Sequence, residues 1–224
     1  VAAASSNVNV LAFSNNASIA GGNVFILGST FENTAKRLTQ FSKRQGRSRV
    51  LVVYSDDVAG QVGRDAITAA VARSGMQLAG VKSYPLSQQG IAGSASGIVA
   101  AARETNADTT MLTANPASDL PLLSSALGAA GLNGTTTMLM GLSRWSIQPQ
   151  VAALPALQGG YFTMPDTNLE SNFSKRYSSA YGTSPHPLAG LAYDAIAAIG
   201  ALAGAGRADA LTASQLTRNA GFVG

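Results

Sequence analysis

The run Val50-Leu51-Val52-Val53 constrains the fold more than any other part of this sequence. A strand that is apolar at every position has no solvent face, so both of its sides must be covered, as in the centre of a parallel sheet. That strand reads as Arg49–Tyr54, and further apolar runs read as strands over Val8–Phe13, Val24–Leu27, Gln77–Val81, Thr110–Thr113, Thr137–Met140 and Gly160–Thr163. Between most of them lie stretches with apolar residues three and four apart, the mark of amphipathic helices. These are Phe31–Ser42, Gly60–Ser74, Ile91–Thr105, Ser118–Ala130, Leu169–Tyr181 and Pro187–Ala203. Strand–helix–strand alternation predicts parallel strands with right-handed crossovers, hence an α/β fold. Gly75 and Gly131 follow helix ends and suit left-handed caps.

Composition narrows the class. Hydrophobic residues make up 46% of the 224-residue chain and charged residues 12%, which suits a packed interior and excludes a disordered chain. The most apolar stretch, Leu188 to Ala205, is broken by Tyr193, Asp194 and several glycines, so it does not read as a membrane span. Without cysteine there is no disulfide framework, thiolate nucleophile or Cys-based metal site.

Catalytic signals are weak. The single histidine, His186, lies in Ser184-Pro185-His186-Pro187 and reads as a cap or loop residue. No Gly-x-Ser-x-Gly elbow, phosphate-binding loop or dinucleotide fingerprint occurs. The eleven carboxylates are scattered, with no cluster of metal-ligand type. We therefore expect no enzyme, no catalytic residue, no metal and no cofactor.

The formal charge of +4 is local in origin: Lys36, Arg37, Lys43, Arg44, Arg47 and Arg49 are six of the fifteen basic residues. Phe31 and Phe41 fit the buried stripe of the same helix, and cations near a helix end complement its dipole. A solvated face with dipole complement is the better reading than a nucleic-acid surface, and no nucleic-acid partner is expected.

Three ordered segments carry a resemblance. The first is Arg49 to Asp57, then Gly60 to Gly63 and a helix ending Arg73-Ser74-Gly75. The second is Ala107-Asp108, a strand, Asn115-Pro116-Ala117 and a helix ending Leu127 to Leu132. The third is Phe173, Tyr177, Tyr181-Gly182 and Pro185, followed by Ala192-Tyr193-Asp194-Ala195. In this order the set resembles the type I periplasmic binding proteins, the group of the Leu/Ile/Val-binding proteins of ABC importers. A narrower likeness runs through Trp145, Ala156 to Phe162, the Pro165-Asp166 turn and the ending Gly221-Phe222-Val223-Gly224. It is similar to the lipoprotein branch known as penicillin-binding protein activators, which are non-enzymatic partners of peptidoglycan synthases.

The resemblance implies two parallel-sheet, Rossmann-like lobes joined by hinge strands, with residues 30–158 forming the second lobe. Residues 1–29 and 159–224 would form a first lobe that lacks its N-terminal part. Open strand edges of an incomplete sheet invite pairing with another copy, so a homodimer is one expectation. The resemblance also implies ligand between the lobes, held by loops after the strands. Its wall would be Ser14 and Asn15 from the first lobe, with Asp56, Asp57, Asn115, Ser143, Arg144 and Trp145 from the second. Ser14-Asn15-Asn16 suits a carboxylate site or a plain turn equally. Arg144 could hold a ligand carboxylate under the Trp145 indole, or point to solvent while Trp145 packs inside the lobe. The aromatic covers of the amino-acid binders are replaced here by Ala59 and Ala114-Asn115-Pro116, and the acid for the ligand's ammonium by Ser143.

The expected function is a periplasmic ligand- or partner-binding protein resembling the penicillin-binding protein activators. The alternative is the substrate-binding protein of an ABC importer for branched-chain amino acids or a similar solute. The corresponding partners are an amino-acid-like or cell-wall-derived small molecule, a peptidoglycan synthase or an ABC permease. Membrane contact is expected only through a lipid anchor outside this chain.

Overall fold

The computed structural model describes residues 8–204, 206 and 209–217. The elements in chain order are β1 (Val10–Phe13), β2 (Val24–Leu27), α1 (Phe31–Arg44), β3 (Arg49–Ser55), α2 (Val58–Ser74), β4 (Gln77–Tyr84) and α3 (Gln88–Glu104). They continue with β5 (Thr109–Leu112), α4 (Leu120–Ala129), β6 (Met138–Gly141), α5 (Pro149–Ala152), β7 (Tyr161–Phe162), α6 (Thr167–Tyr181), α7 (Ala189–Ala203) and α8 (Ala213–Leu216). Among the described residues, every pairing between these strands is parallel. The chain divides into two compact units, one of residues 1–30 and 165–224 and the other Phe31–Met164.

The larger unit holds a 5-stranded sheet in the order β4-β3-β5-β6-β7. Side chains alternate along β3: Val50 and Val52 enter the core beneath α1 and α2, while Leu51 and Val53 enter the one beneath α3 and α4. All four are fully buried, which is what an uninterrupted apolar strand requires. The same alternation divides Met138 and Met140 from Leu139 in β6, giving a doubly wound layer structure. β4 lies at one edge of the sheet and is mostly exposed, with Lys82 among its outward residues.

Helix ends follow the local chemistry. Asp57 caps α2 by accepting from the Gly60 amide, and Gly75 ends that helix at φ 68°. Ser87 caps α3 through the Gly90 amide. Gly131 also takes positive φ after α4, as its place in the sequence predicts.

The second crossing between units falls after Met164 rather than at 158. Tyr161 and Phe162 pair with Met140 and Gly141, and the Tyr161 ring stacks on Phe41 with centroids 5.0 Å apart. Residues 159–164 therefore belong with the larger sheet, contrary to the expected lobe assignment. A two-residue strand is set by its pairing partner and not by its own periodicity.

The smaller unit contains the parallel pair β1-β2, with α6, α7 and α8. The Phe173, Tyr177 and Tyr181 spacing has a physical reason. Residues four apart share a helix face, and the three rings form a ladder with centroids 5.9 and 4.7 Å apart. Tyr193 of α7 packs on Phe173 at 5.1 Å, and Arg176 donates to its hydroxyl. Among the described residues no helix is long and apolar enough to cross a membrane. The Gly221-Phe222-Val223-Gly224 ending lies outside the described residues.

Trp145, the sole tryptophan, is 1% exposed and lies in the core with Phe162, centroids 5.8 Å apart. Its ring occupies space left by two glycines, since a Cβ on Gly141 would meet Nε1 at 2.1 Å and one on Gly160 would meet the ring at 2.6 Å. Two outcomes follow from this packing. Native emission should be blue-shifted and resistant to acrylamide, moving red only on unfolding. Gly141→Ala, which overpacks this contact, should lower stability by about 1–3 kcal/mol in urea titration.

Candidate ligand-binding edge

In the larger unit, the ends of β3, β4, β5 and β6 bring Asp56, Asp57, Tyr84, Asn115, Asp119, Ser143 and Arg144 to the carboxyl edge of one sheet. In open parallel sheets this is the edge where ligands bind, because the loops there diverge and helix N-termini face outward.

Asp57 is half-buried and its Oδ1 is engaged twice, accepting from the Gly60 amide at 2.8 Å and the Ser55 hydroxyl at 2.7 Å. Gly60 is required here, since a Cβ would meet the Ser55 carbonyl oxygen at 2.0 Å. Asp56 is exposed and tethered through its backbone, its amide donating to the Tyr84 carbonyl at 2.9 Å. The Asn115 side chain accepts from the Ala117 amide, closing a turn, while its own amide donates to Asp119 Oδ1. Ser143 is half-buried, and Arg144 Nε donates to the Ser146 hydroxyl at 2.9 Å.

Trp145 does not join them. Its indole fills the interior of the unit, so the structure takes the packed reading of this residue and removes it from the surface that could face a ligand. Ala114 is also buried, at 1% exposure. In the smaller unit, Ser14 and Asn15 follow β1; the Ser14 hydroxyl accepts from the Asn16 amide at 3.0 Å, and Asn15 is exposed. His186 is exposed and its Nδ1 accepts from the Leu188 amide, in keeping with a capping role.

The buried part of this edge was not anticipated. Tyr84 is fully buried and its hydroxyl makes a short hydrogen bond to Asp119 Oδ2. Asp119 Oδ1 accepts from the Asn115 amide and the Ser118 hydroxyl, so one carboxylate ties the end of β4 to the loop after β5. The sequence reading ended the strand at Val81 and left Tyr84 outside it. The usable signal was a Tyr-Pro pair closing a strand and an acid just before Leu120-Pro121, at a helix start.

Burial, then the hydrogen bond to Asp119 and its charge, raise the Tyr84 phenol well above its ordinary value. A phenol whose folded pKa is raised contributes stability that is full below the unfolded value near 10 and is lost as pH rises above it.

A sequence model of the family described as "Periplasmic binding protein" matches residues 1–221. The chain belongs to that family. Its fold is the type I form, and three solved structures illustrate the likeness. A putative branched-chain amino acid ABC transporter from Rhodospirillum rubrum aligns with TM-score 0.68 at 17% identity, over 84% of this chain and 54% of its own. A branched chain amino acid ABC transporter periplasmic ligand-binding protein from Burkholderia xenovorans LB400 gives 0.66 at 20%, over 88% and 52%. A leucine binding protein from Thermotoga maritima MSB8 gives 0.58 at 19%, over 84% and 54%. The binding protein described here spans about half the length of these structures. No protein among those curated for function matches it.

Tyr84→Phe tests the buried pair. It leaves Asp119 Oδ2 without its donor and should cost about 1–3 kcal/mol at neutral pH by chemical denaturation. Above pH 10 the wild type should lose stability more steeply than the variant, by about 1.4 kcal/mol per pH unit for the one proton.

Proposed function

We propose that this binding protein is the solute receptor of an ABC importer, taking a small polar solute of amino-acid type. The observation that carries the reading is the family match over residues 1–221, joined to the polar groups gathered at one sheet's carboxyl edge. In the larger unit the proposed contacts are Asp56, Asp57, Asn115, Ser143 and Arg144. Asp57 and Asn115 hold the loops through their own hydrogen bonds, and Arg144 Nε donates to the Ser146 hydroxyl; Asp56, Ser143 and Arg144 are the side chains proposed to meet the solute. Arg144 supplies the charge suited to a carboxylate, since a planar guanidinium binds one bidentately.

A second reading is favoured by one feature of the sequence. Ala59 and Ala114 stand where the resemblance to amino-acid binders implies aromatic covers, and Ser143 where it implies an acid. A buried ammonium without a carboxylate is costly, so a different ligand, or a protein partner in its place, suits this edge. That partner is a peptidoglycan synthase if the chain acts as a penicillin-binding protein activator, held at the membrane by a lipid anchor outside this sequence.

Calorimetry on the full-length protein against leucine, valine and other amino acids distinguishes the readings. The receptor reading expects micromolar affinity for at least one of them, with Arg144→Ala weakening it by about 1.5–3 kcal/mol. No heat from any amino acid, together with capture of a bifunctional peptidoglycan synthase in a pull-down, would replace it with the activator reading.

A further inference from the structure

A shallow groove of about 170 Å³ opens at the amino-terminal edge of the larger unit's sheet, opposite the edge discussed above. Arg47, the loop Gly134–Thr137, Gly159 and Tyr161 line it. Its chemistry is one-sided. Arg47 is exposed, and its guanidinium has no hydrogen-bond or ion-pair partner among the described residues. Among the described residues the amides of Gly134 and Gly159 donate to no acceptor, and neither does the Tyr161 hydroxyl.

The two glycines are needed for the shape. A Cβ on Gly134 would meet the Gln158 carbonyl oxygen at 2.1 Å, and Gly159 adopts φ 77° against the Gly134 carbonyl. Their contact leaves a wall without side chains, which lets a ligand approach the backbone closely. The threonines work inward: Thr135 and Thr136 hydroxyls donate within the Asn133 turn, and Thr137 pairs with Thr110. Asp108, a carboxylate at the same edge, accepts from the Ser48 and Arg49 amides and does not line the groove. Lys36, Arg37 and Arg44 are exposed along α1 and have no acidic partner among the described residues, but none of them lines the groove.

We propose that this groove is a second binding site, selective for a tetrahedral oxyanion of the phosphate or phosphate-ester class. Arg47 holds the anion bidentately, Gly134 and Gly159 offer amide donors, and Tyr161 closes one side. The site is independent of the solute edge, and its failure would leave the receptor reading untouched.

The test is a ¹⁵N NMR titration of the full-length protein at low salt with inorganic phosphate and, separately, glycerol phosphate. Saturable shifts at the Gly134 and Gly159 amides are expected, with affinity about tenfold or more weaker in Arg47→Gln and unchanged in Arg44→Gln. Co-sedimentation with phosphatidylglycerol but not phosphatidylcholine vesicles, lost in Arg47→Gln, would identify a lipid headgroup as the phosphate source. Phosphate binding without vesicle binding would identify a soluble ester. Absence of shifts at those amides, shifts that do not saturate, or equal weakening in Arg47→Gln and Arg44→Gln would overturn the proposal.

Discussion

The two-sided burial of β3 is the constraint on which the larger unit depends. Four consecutive apolar side chains must leave water in alternating directions, so helices are needed on both faces at once. Parallel strands with helical crossovers supply that cover on both faces within one continuous chain. Once β3 is central, the carboxyl ends of β3, β5 and β6 are aligned, and the loops that follow them share an edge. The position of the candidate site is a consequence of that burial, not a separate feature.

At that edge, polar side chains divide between support and exposure. Asp57 and Asp119 turn inward, onto the Gly60 amide and the Tyr84 hydroxyl, where a buried carboxylate oxygen gains most from being satisfied. Asp56 stays outside. Neighbouring acids of the same type thus have different uses: Asp57 meets donors from its own loop and Asp119 one from another strand, while the Asp56 side chain is left exposed. The uncharged phenol of Tyr84 reflects the same principle: burial next to a carboxylate favours the form without charge.

The opposite edge has another logic. Helix C-termini point there, so Lys43 and Arg44 serve the last turn of α1, as the sequence pattern suggests, and Lys43 also donates to the Ser74 carbonyl. Arg47, beyond the helix end, has no such duty. It lines a groove formed with loops that are remote from it in sequence.

Periodicity alone located the strands and most of the helices, because apolar spacing directly encodes which faces must be buried. The left-handed glycines after α2 and α4 and the shared face of Phe173, Tyr177 and Tyr181 were equally readable, being local matters of backbone and helix geometry. The loops carrying Asp56, Asp57, Asn115, Ser143 and Arg144 could be placed at strand ends for the same reason. Whether a side chain there faces inward or outward was not local. Trp145 fills space left by Gly141 and Gly160, Tyr84 reaches Asp119 from another strand, and the strand Tyr161–Phe162 joins the larger unit's sheet because β6 accepts it. Each of these depends on contacts between residues far apart in the chain, so only the tertiary structure could decide them.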